Sequence, residues 1–242
     1  MTSSPKIGDM SYEEWVGEHE EQTDYIELSK ADDKSQNYRP VELDMTEMVT
    51  TQRNKEIKAY KAINTHNNIY VSENVDVKRK KLHQIDMNVS ESLNRMNISE
   101  DRNIPNILVV SRDDMVNNSV AAYRAIENQL LVCEDVAVYK FDEMPKIMEQ
   151  LACGNNDLSS YVHELYHWLD AEEFKNLYGS ITKDNYGVYE EFINKNAKNR
   201  LDKMSEKGYN VLVSKYARDS VISQQFCEVY TEFRTFSLLG GE

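Results

Sequence analysis

Glycine is the residue this chain withholds. Its eight glycines stand at positions 8, 17, 154, 179, 187, 208, 240 and 241, so residues 18–153 contain none. Tight hairpins lean on glycine because their central residues adopt positive φ. Only four prolines are present to supply other turn chemistry. That distribution argues against an all-β chain of many short hairpins. It points to an α+β fold, mainly helical with a small sheet. No segment recurs at a period of 20–50 residues, which disfavours a solenoid. With 242 residues, 40% of them apolar, the chain can bury a sizeable core in one domain or two.

Charge divides the chain. Residues 1–50 hold thirteen Asp/Glu against four Lys/Arg, a net of −9, while the remaining 192 residues carry only −5 of the total −14. The first fifty positions also lack aliphatic periodicity, so they read as an acidic arm, extended or partly disordered. Trp15, Val16, Tyr25, Ile26 and Leu28 give that arm isolated anchors for a partner or for the chain's own body. The acidic balance disfavours nucleic acid as a partner. No apolar run approaches the ~20 residues of a membrane span, so no membrane role is expected. The N-terminus lacks the basic and apolar regions of a signal peptide, and a cytoplasmic location is expected. Three scattered cysteines, Cys133, Cys153 and Cys227, suggest neither a disulfide framework nor a cysteine metal site.

The coarse element reading runs as follows. Met45–Ile63 is expected to be helical and Ile69–Val71 extended. Leu82, Ile85, Val89, Leu93 and Met96 recur at steps of three and four, predicting an amphipathic helix over Val77–Met96. Ile107–Ser111 reads as a buried strand. Val120–Ala125 and Leu130–Val132 read as a hairpin turning through Glu127-Asn128 without glycine. A short helix is expected over Glu143–Leu151, then a loop over Cys153–Leu158. Ser159 or Ser160 can cap a helix reaching about Phe174. Two more helices are expected over Tyr186–Met204 and from about Ser220 to Leu239. Three regions result: the arm at 1–50, a helical N-terminal region at 51–105, and a chemical domain at 106–242.

The chemistry lies in the capped helix, whose sequence Tyr161-Val-His163-Glu164-Leu-Tyr-His167-Trp-Leu-Asp170 contains H-E-x-x-H. Histidines four apart share one helix face, so both imidazoles can reach one metal ion, and zinc favours such a pair. Glu164, next to the first histidine, is placed to act as a general base and then a general acid. A third ligand is available on the last helix, in Phe226-Cys-Glu228-Val-Tyr-Thr-Glu232-Phe233. The apolar stripe Ile222, Phe226, Val229, Phe233 and Phe236 is expected to face the core, with Glu228 and Glu232 on its border. A carboxylate pair at that spacing can supply one ligand and one acceptor for a ligand histidine's second N–H.

H-E-x-x-H followed after sixty-one residues by E-x-x-x-E on a helix resembles the gluzincin metallopeptidases, the zincins whose third ligand is a glutamate. The resemblance implies zinc as cofactor, His163, His167 and Glu228 as ligands, and Glu232 as the partner of His163. Glu232 stands where the thermolysin-type pattern has aspartate, which leaves the reverse assignment of the two glutamates open. The stretch from Ile107 to Leu239 is also similar to metallopeptidase-like segments associated with minor head proteins of tailed phages. In the rival metzincin arrangement Glu173 would be the third ligand. A continuous helix would carry it ~15 Å along the axis from His163. Asp170 is expected to support the site or cap a neighbour.

Tyr216 is the candidate oxyanion donor, with Tyr230 as its alternative. Cys227 reads as an inert cysteine, and His66 and His83 as surface or core-edge residues. The expected function is zinc-dependent hydrolysis of peptide bonds in a phage or host protein, the substrate lying along the exposed edge of Val120–Ala125. The alternative is a virion minor head protein whose zinc pins the fold without turnover. In either case the arm would dock on head or portal proteins, and the chain could be carried into the virion.

Overall fold

The computed structural model describes residues 40–41, 57–73, 75–99, 102–115, 119–135, 151, 153 and 156–240. The strands are β1 (Pro40–Val41), β2 (Ile57–Lys61), β3 (Asn68–Ser72), β4 (Asn106–Val110), β5 (Ala121–Arg124) and β6 (Gln129–Cys133). The helices are α1 (Arg79–Arg95), α2 (Ser159–Tyr178), α3 (Tyr186–Glu206), α4 (Lys215–Ile222) and α5 (Phe226–Leu239). The fold is α+β, as expected.

One mixed sheet runs in the order β1-β2-β3-β4-β6-β5. The central strands β3, β4 and β6 are parallel, and β1, β2 and β5 join antiparallel at the flanks. Parallel β3 and β4 need a crossover, which α1 supplies. The runs Ile-Leu-Val-Val in β4 and Leu-Leu-Val-Cys in β6 are buried throughout. Strands covered on both faces lose polar alternation, which is why these two stood out in the sequence. Among the described residues, β5 lies at one edge of the sheet.

One face of the sheet presents Ile69, Val71, Ile107, Val109, Leu130 and Val132 to Leu82, Ile85, Val89 and Leu93 of α1, and Tyr161, Leu165 and Trp168 of α2 enter the same core. Residues before and after position 105 therefore share one sheet and one core, and the expected boundary there divides neither. The helical reading of 51–105 is also corrected in part. Ile57–Lys61, placed in a helix by local pattern, pairs along its whole length with β3. The Asp86 carboxylate accepts the backbone N–H groups of Ile63, Asn64 and Thr65, donors that a continuing helix would have used itself. Within the expected arm, Pro40–Val41 pairs with β2. The rest of residues 1–50 and the helix expected over Glu143–Leu151, apart from Leu151, lie outside the described residues.

Two helix ends also differ from expectation. Neither Ser159 nor Ser160 caps α2; Leu158 holds the N-cap position without a side-chain bond. Its own N–H goes to Asn156 Oδ1. The single helix expected from Ser220 to Leu239 is two, broken at Ser223–Gln225. Gln224 adopts φ 58°, and the N–H groups of Gln224 and Gln225 close back on Val221 and Ser220. Such a cap normally uses glycine. A left-handed residue with a Cβ costs ~1–2 kcal/mol, against ~0.5–1 kcal/mol for the extra entropy glycine loses. Gln224→Gly is therefore expected to stabilise the chain by about 0.5–1 kcal/mol in denaturant titration.

Candidate metal centre

α2 is enclosed on several sides. Tyr161, Leu165 and Trp168 face the sheet, Val162 packs on Leu158 and Leu239, and Ala171 and Phe174 pack with Ile181 and Tyr189. The stripe that remains carries His163 and His167, and α5 lies against it. The buried face of α5 is Val229, Thr231, Glu232, Thr235 and Leu239. The apolar stripe expected to face inward is corrected here: Ile222 is 81% exposed, Phe236 is 39% exposed, and of the five only Val229 is buried. The break at Gln224 frees α5 to rotate. Small threonines then admit close approach to α2, and Glu232 is buried because it has a partner there.

That partner is His163. Its Nδ1 lies 3.1 Å from Glu232 Oε1, and its Nε2 lies 3.2 Å from Glu228 Oε2. His167 Nε2 lies 3.2 Å from His163 Nε2 and 3.3 Å from the same Glu228 oxygen. Two imidazole nitrogens and one carboxylate oxygen thus form a nearly equilateral triangle, a group able to hold a metal ion. Atoms ~2.0–2.1 Å from a tetrahedral ion stand ~3.3–3.4 Å apart, so the spacing suits a small tetrahedral cation with one position left open. Glu228, rather than Glu232, completes the triangle. Glu232 instead takes the far nitrogen of His163, where it fixes the ring's orientation and tautomer.

The electrostatics of the cluster favour a cation. Burial opposes a charged imidazole at His163, but the hydrogen bonds it donates to Glu228 and Glu232 outweigh it and raise the pKa to about 10. His167 is raised in the same way by Glu228, against its own burial. Burial pushes the Glu228 carboxyl upward, yet the two histidines hold it well below the usual range. Protons therefore supply the positive charge in the absence of metal. An unfolded histidine titrates near ~6.5. Because the folded value is higher, His163 contributes stability that is fully present below that pH and is lost as pH rises through about 10. Chelator-treated protein is expected to melt at steadily lower temperature from pH 7 to pH 10. Metal requires deprotonated ligands, so metal affinity should rise over the same interval.

Glu164 stands apart from the triangle. Its Oε2 accepts the backbone N–H of Tyr123 on β5 at 2.8 Å, tying α2 to the edge strand. Beside it opens a recess of about 80 Å³ lined by Ser119, Val120, Ala121, Leu151, Ser160, His163, Glu164 and Tyr216. Tyr216, at the start of α4, donates its hydroxyl to Glu228 Oε2 at 3.2 Å, and burial beside that carboxylate raises its pKa and keeps the phenol protonated. Tyr230 is elsewhere, with the guanidinium groups of Arg200 and Arg234 over its ring. Cys227 is half-buried, and burial with neighbouring Glu228 pushes its thiol up to about 12, so it is inert at neutral pH. Glu173 is bound by Arg200 at 2.7 Å, and α2 continues past it to Tyr178. His66 is exposed and His83 is buried on α1, and neither belongs to the triangle.

Arg234 was not singled out by sequence reasoning. It grips Asp170 with two hydrogen bonds of 3.0 and 2.6 Å, and its guanidinium lies 4.4 Å from the ring centres of both Tyr166 and Tyr230. This clamp joins α2 to α5 one turn beyond His167. The signal was present only as an arginine in the last helix and an aspartate one turn past His167, a pairing that needs the fold to be seen. The family models, curated proteins and solved structures with which the chain was compared contain no match to it.

Proposed function

We propose that this chain is a zinc-dependent peptidase of gluzincin type. The observation that carries the reading is a carboxylate, Glu164, set beside a three-ligand cluster but not consumed by it, in a recess that borders an edge strand. His163, His167 and Glu228 would hold zinc, which when bound supplies Lewis acidity to polarise a carbonyl at neutral pH. Glu164 takes the proton from the attacking water and delivers it to the departing amine. Tyr216, protonated and lining the recess, would turn its hydroxyl from Glu228 to donate to the oxygen on which negative charge grows. β5 offers its outer edge to an extended substrate segment. On the resemblance noted in the sequence, that substrate is a phage or host protein.

A second reading, a zinc-pinned fold without turnover, draws on one observation: the bond from Tyr123 N–H to Glu164 gives this carboxylate a structural task. Glu164→Gln separates the two. Glutamine can still accept the Tyr123 N–H but cannot serve as a base. Cleavage of a denatured protein substrate is expected to fall by ~10²–10⁴-fold with metal content and melting temperature nearly unchanged. Equal cleavage by wild type and variant, or none by either, would remove the hydrolytic reading in favour of the structural one.

A further inference from the structure

The hydrogen bond between Glu164 and Tyr123 bears on which segments the chain can hydrolyse. The register of β5 with β6 pairs Ala121 with Val132 and Tyr123 with Leu130, and the Cys133 N–H donates to Val120 O. In an antiparallel ladder the bonding direction alternates. Val120, Ala122 and Arg124 therefore turn their backbone groups toward β6, and Ala121 and Tyr123 turn theirs outward. These two outward sets lie ~7 Å apart along the strand. A strand added at β5 must find its partners there.

One of those partners is taken. Glu164 Oε2 accepts the Tyr123 N–H at 2.8 Å, the length of a strand-to-strand bond. The carboxylate oxygen therefore stands where the carbonyl oxygen of an added strand would stand, and both cannot be there at once. Among the described residues this is the only hydrogen bond Glu164 makes. The same side chain borders the recess beside His163 and Tyr216, where it is needed as the base. A bond to an ionised acceptor is roughly twice as strong as one to a neutral carbonyl. A segment that stops short of Tyr123 therefore leaves Glu164 bonded to the strand. A longer one brings a carbonyl that replaces it, and its bonds to Ala121 offset the exchange.

We propose that the Tyr123 N–H holds Glu164 as a latch, opened when a substrate carbonyl takes that N–H and frees the carboxylate to act as base. Resting on the peptidase reading, the proposal narrows the substrate class to extended segments that pair with β5 as far as Tyr123. Peptides that end before Tyr123 are cleaved slowly even when they bind. Pairing energy remote from the scissile bond then appears in kcat rather than in KM alone.

The test begins with peptides from a denatured bacterial lysate, incubated with added zinc and either wild type or Glu164→Gln to find the sites that depend on Glu164. The best-cleaved peptide is then synthesised at full length and in versions shortened stepwise from either end. Full-length protein with a backbone ester in place of the Tyr123 amide lacks the latching N–H and keeps the side chain. Expected is a fall in kcat of at least ~10-fold once shortening from one end removes the partner of Tyr123. On that shortened peptide the ester should raise kcat by at least ~5-fold over wild type. Tyr123→Pro should show the same gain over Tyr123→Ala, since proline is tolerated where an edge strand's N–H faces outward. No gain from either change, or a kcat that ignores peptide length, overturns the latch and leaves the peptidase reading standing. Absence of Glu164-dependent cleavage overturns the peptidase reading, and the latch falls with it.

Discussion

Glu228→Ala is expected to lose metal entirely at micromolar concentrations, whereas Glu232→Ala should keep it with ~10–100-fold weaker affinity. The difference follows from position rather than from residue type. Glu228 Oε2 lies 3.2–3.3 Å from both histidine Nε2 atoms and closes the ligand triangle. Glu232 lies on the remote nitrogen of His163 and can affect the metal only through that ring. Two imidazoles alone leave a site with half its coordination open to water, which an ordinary buffer or chelator strips. Glu232→Gln should recover part of the loss seen with alanine, because the amide oxygen still accepts from His163 Nδ1. Isothermal titration with zinc reads both outcomes. Metal retained by Glu228→Ala and lost by Glu232→Ala would reverse the two roles.

Arg234→Leu is expected to cost the fold about 3–5 kcal/mol, the range for leaving one member of a buried ion pair without its partner. Asp170 and Arg234 are only 10% and 15% exposed, and their contact is bidentate. The sandwich between Tyr166 and Tyr230 adds a cation–π contribution that leucine cannot replace. Arg200, 3.8 Å from Asp170, offers partial compensation and draws the expectation toward the lower end. For a chain of this size that means melting about 6–12 °C lower. Adding Asp170→Asn should recover part of the loss, since the stranded charge is then gone. Effects that simply add would show that the clamp is not a unit. The variant is also expected to bind metal more weakly, because the clamp holds α5 in register with α2.

The parts of this molecule that were legible in its sequence are those decided within one helical turn or one strand. His163, Glu164 and His167 depend only on the periodicity of α2. β4 and β6 announce themselves by apolar runs buried on both faces. The hairpin between β5 and β6 needed no glycine, because Asn128 adopts φ 50° at its turn, a conformation asparagine tolerates. What was not legible depended on partners distant in the chain. Local pattern favoured helix at Ile57–Lys61, where pairing with β3 and the Asp86 carboxylate impose strand and turn. The break after α4 carries neither glycine nor proline, so Gln224 gave no warning. The inward face of α5 was misread for a related reason. Hydrophobic periodicity ranks phenylalanine above glutamate, yet a carboxylate bonded to a buried histidine takes the inner position, and Phe236 is left partly in water.

The central claim is that His163, His167 and Glu228 together hold one metal ion. X-ray absorption at the zinc edge on protein purified, dialysed against zinc and freed of excess tests it most directly. The account predicts one zinc per chain, with two imidazole nitrogens and light oxygen ligands at ~2.0–2.1 Å, no sulfur, and the signal absent in Glu228→Ala. A folded chain that retains no zinc, or a spectrum showing a cysteine sulfur at ~2.3 Å, would contradict it.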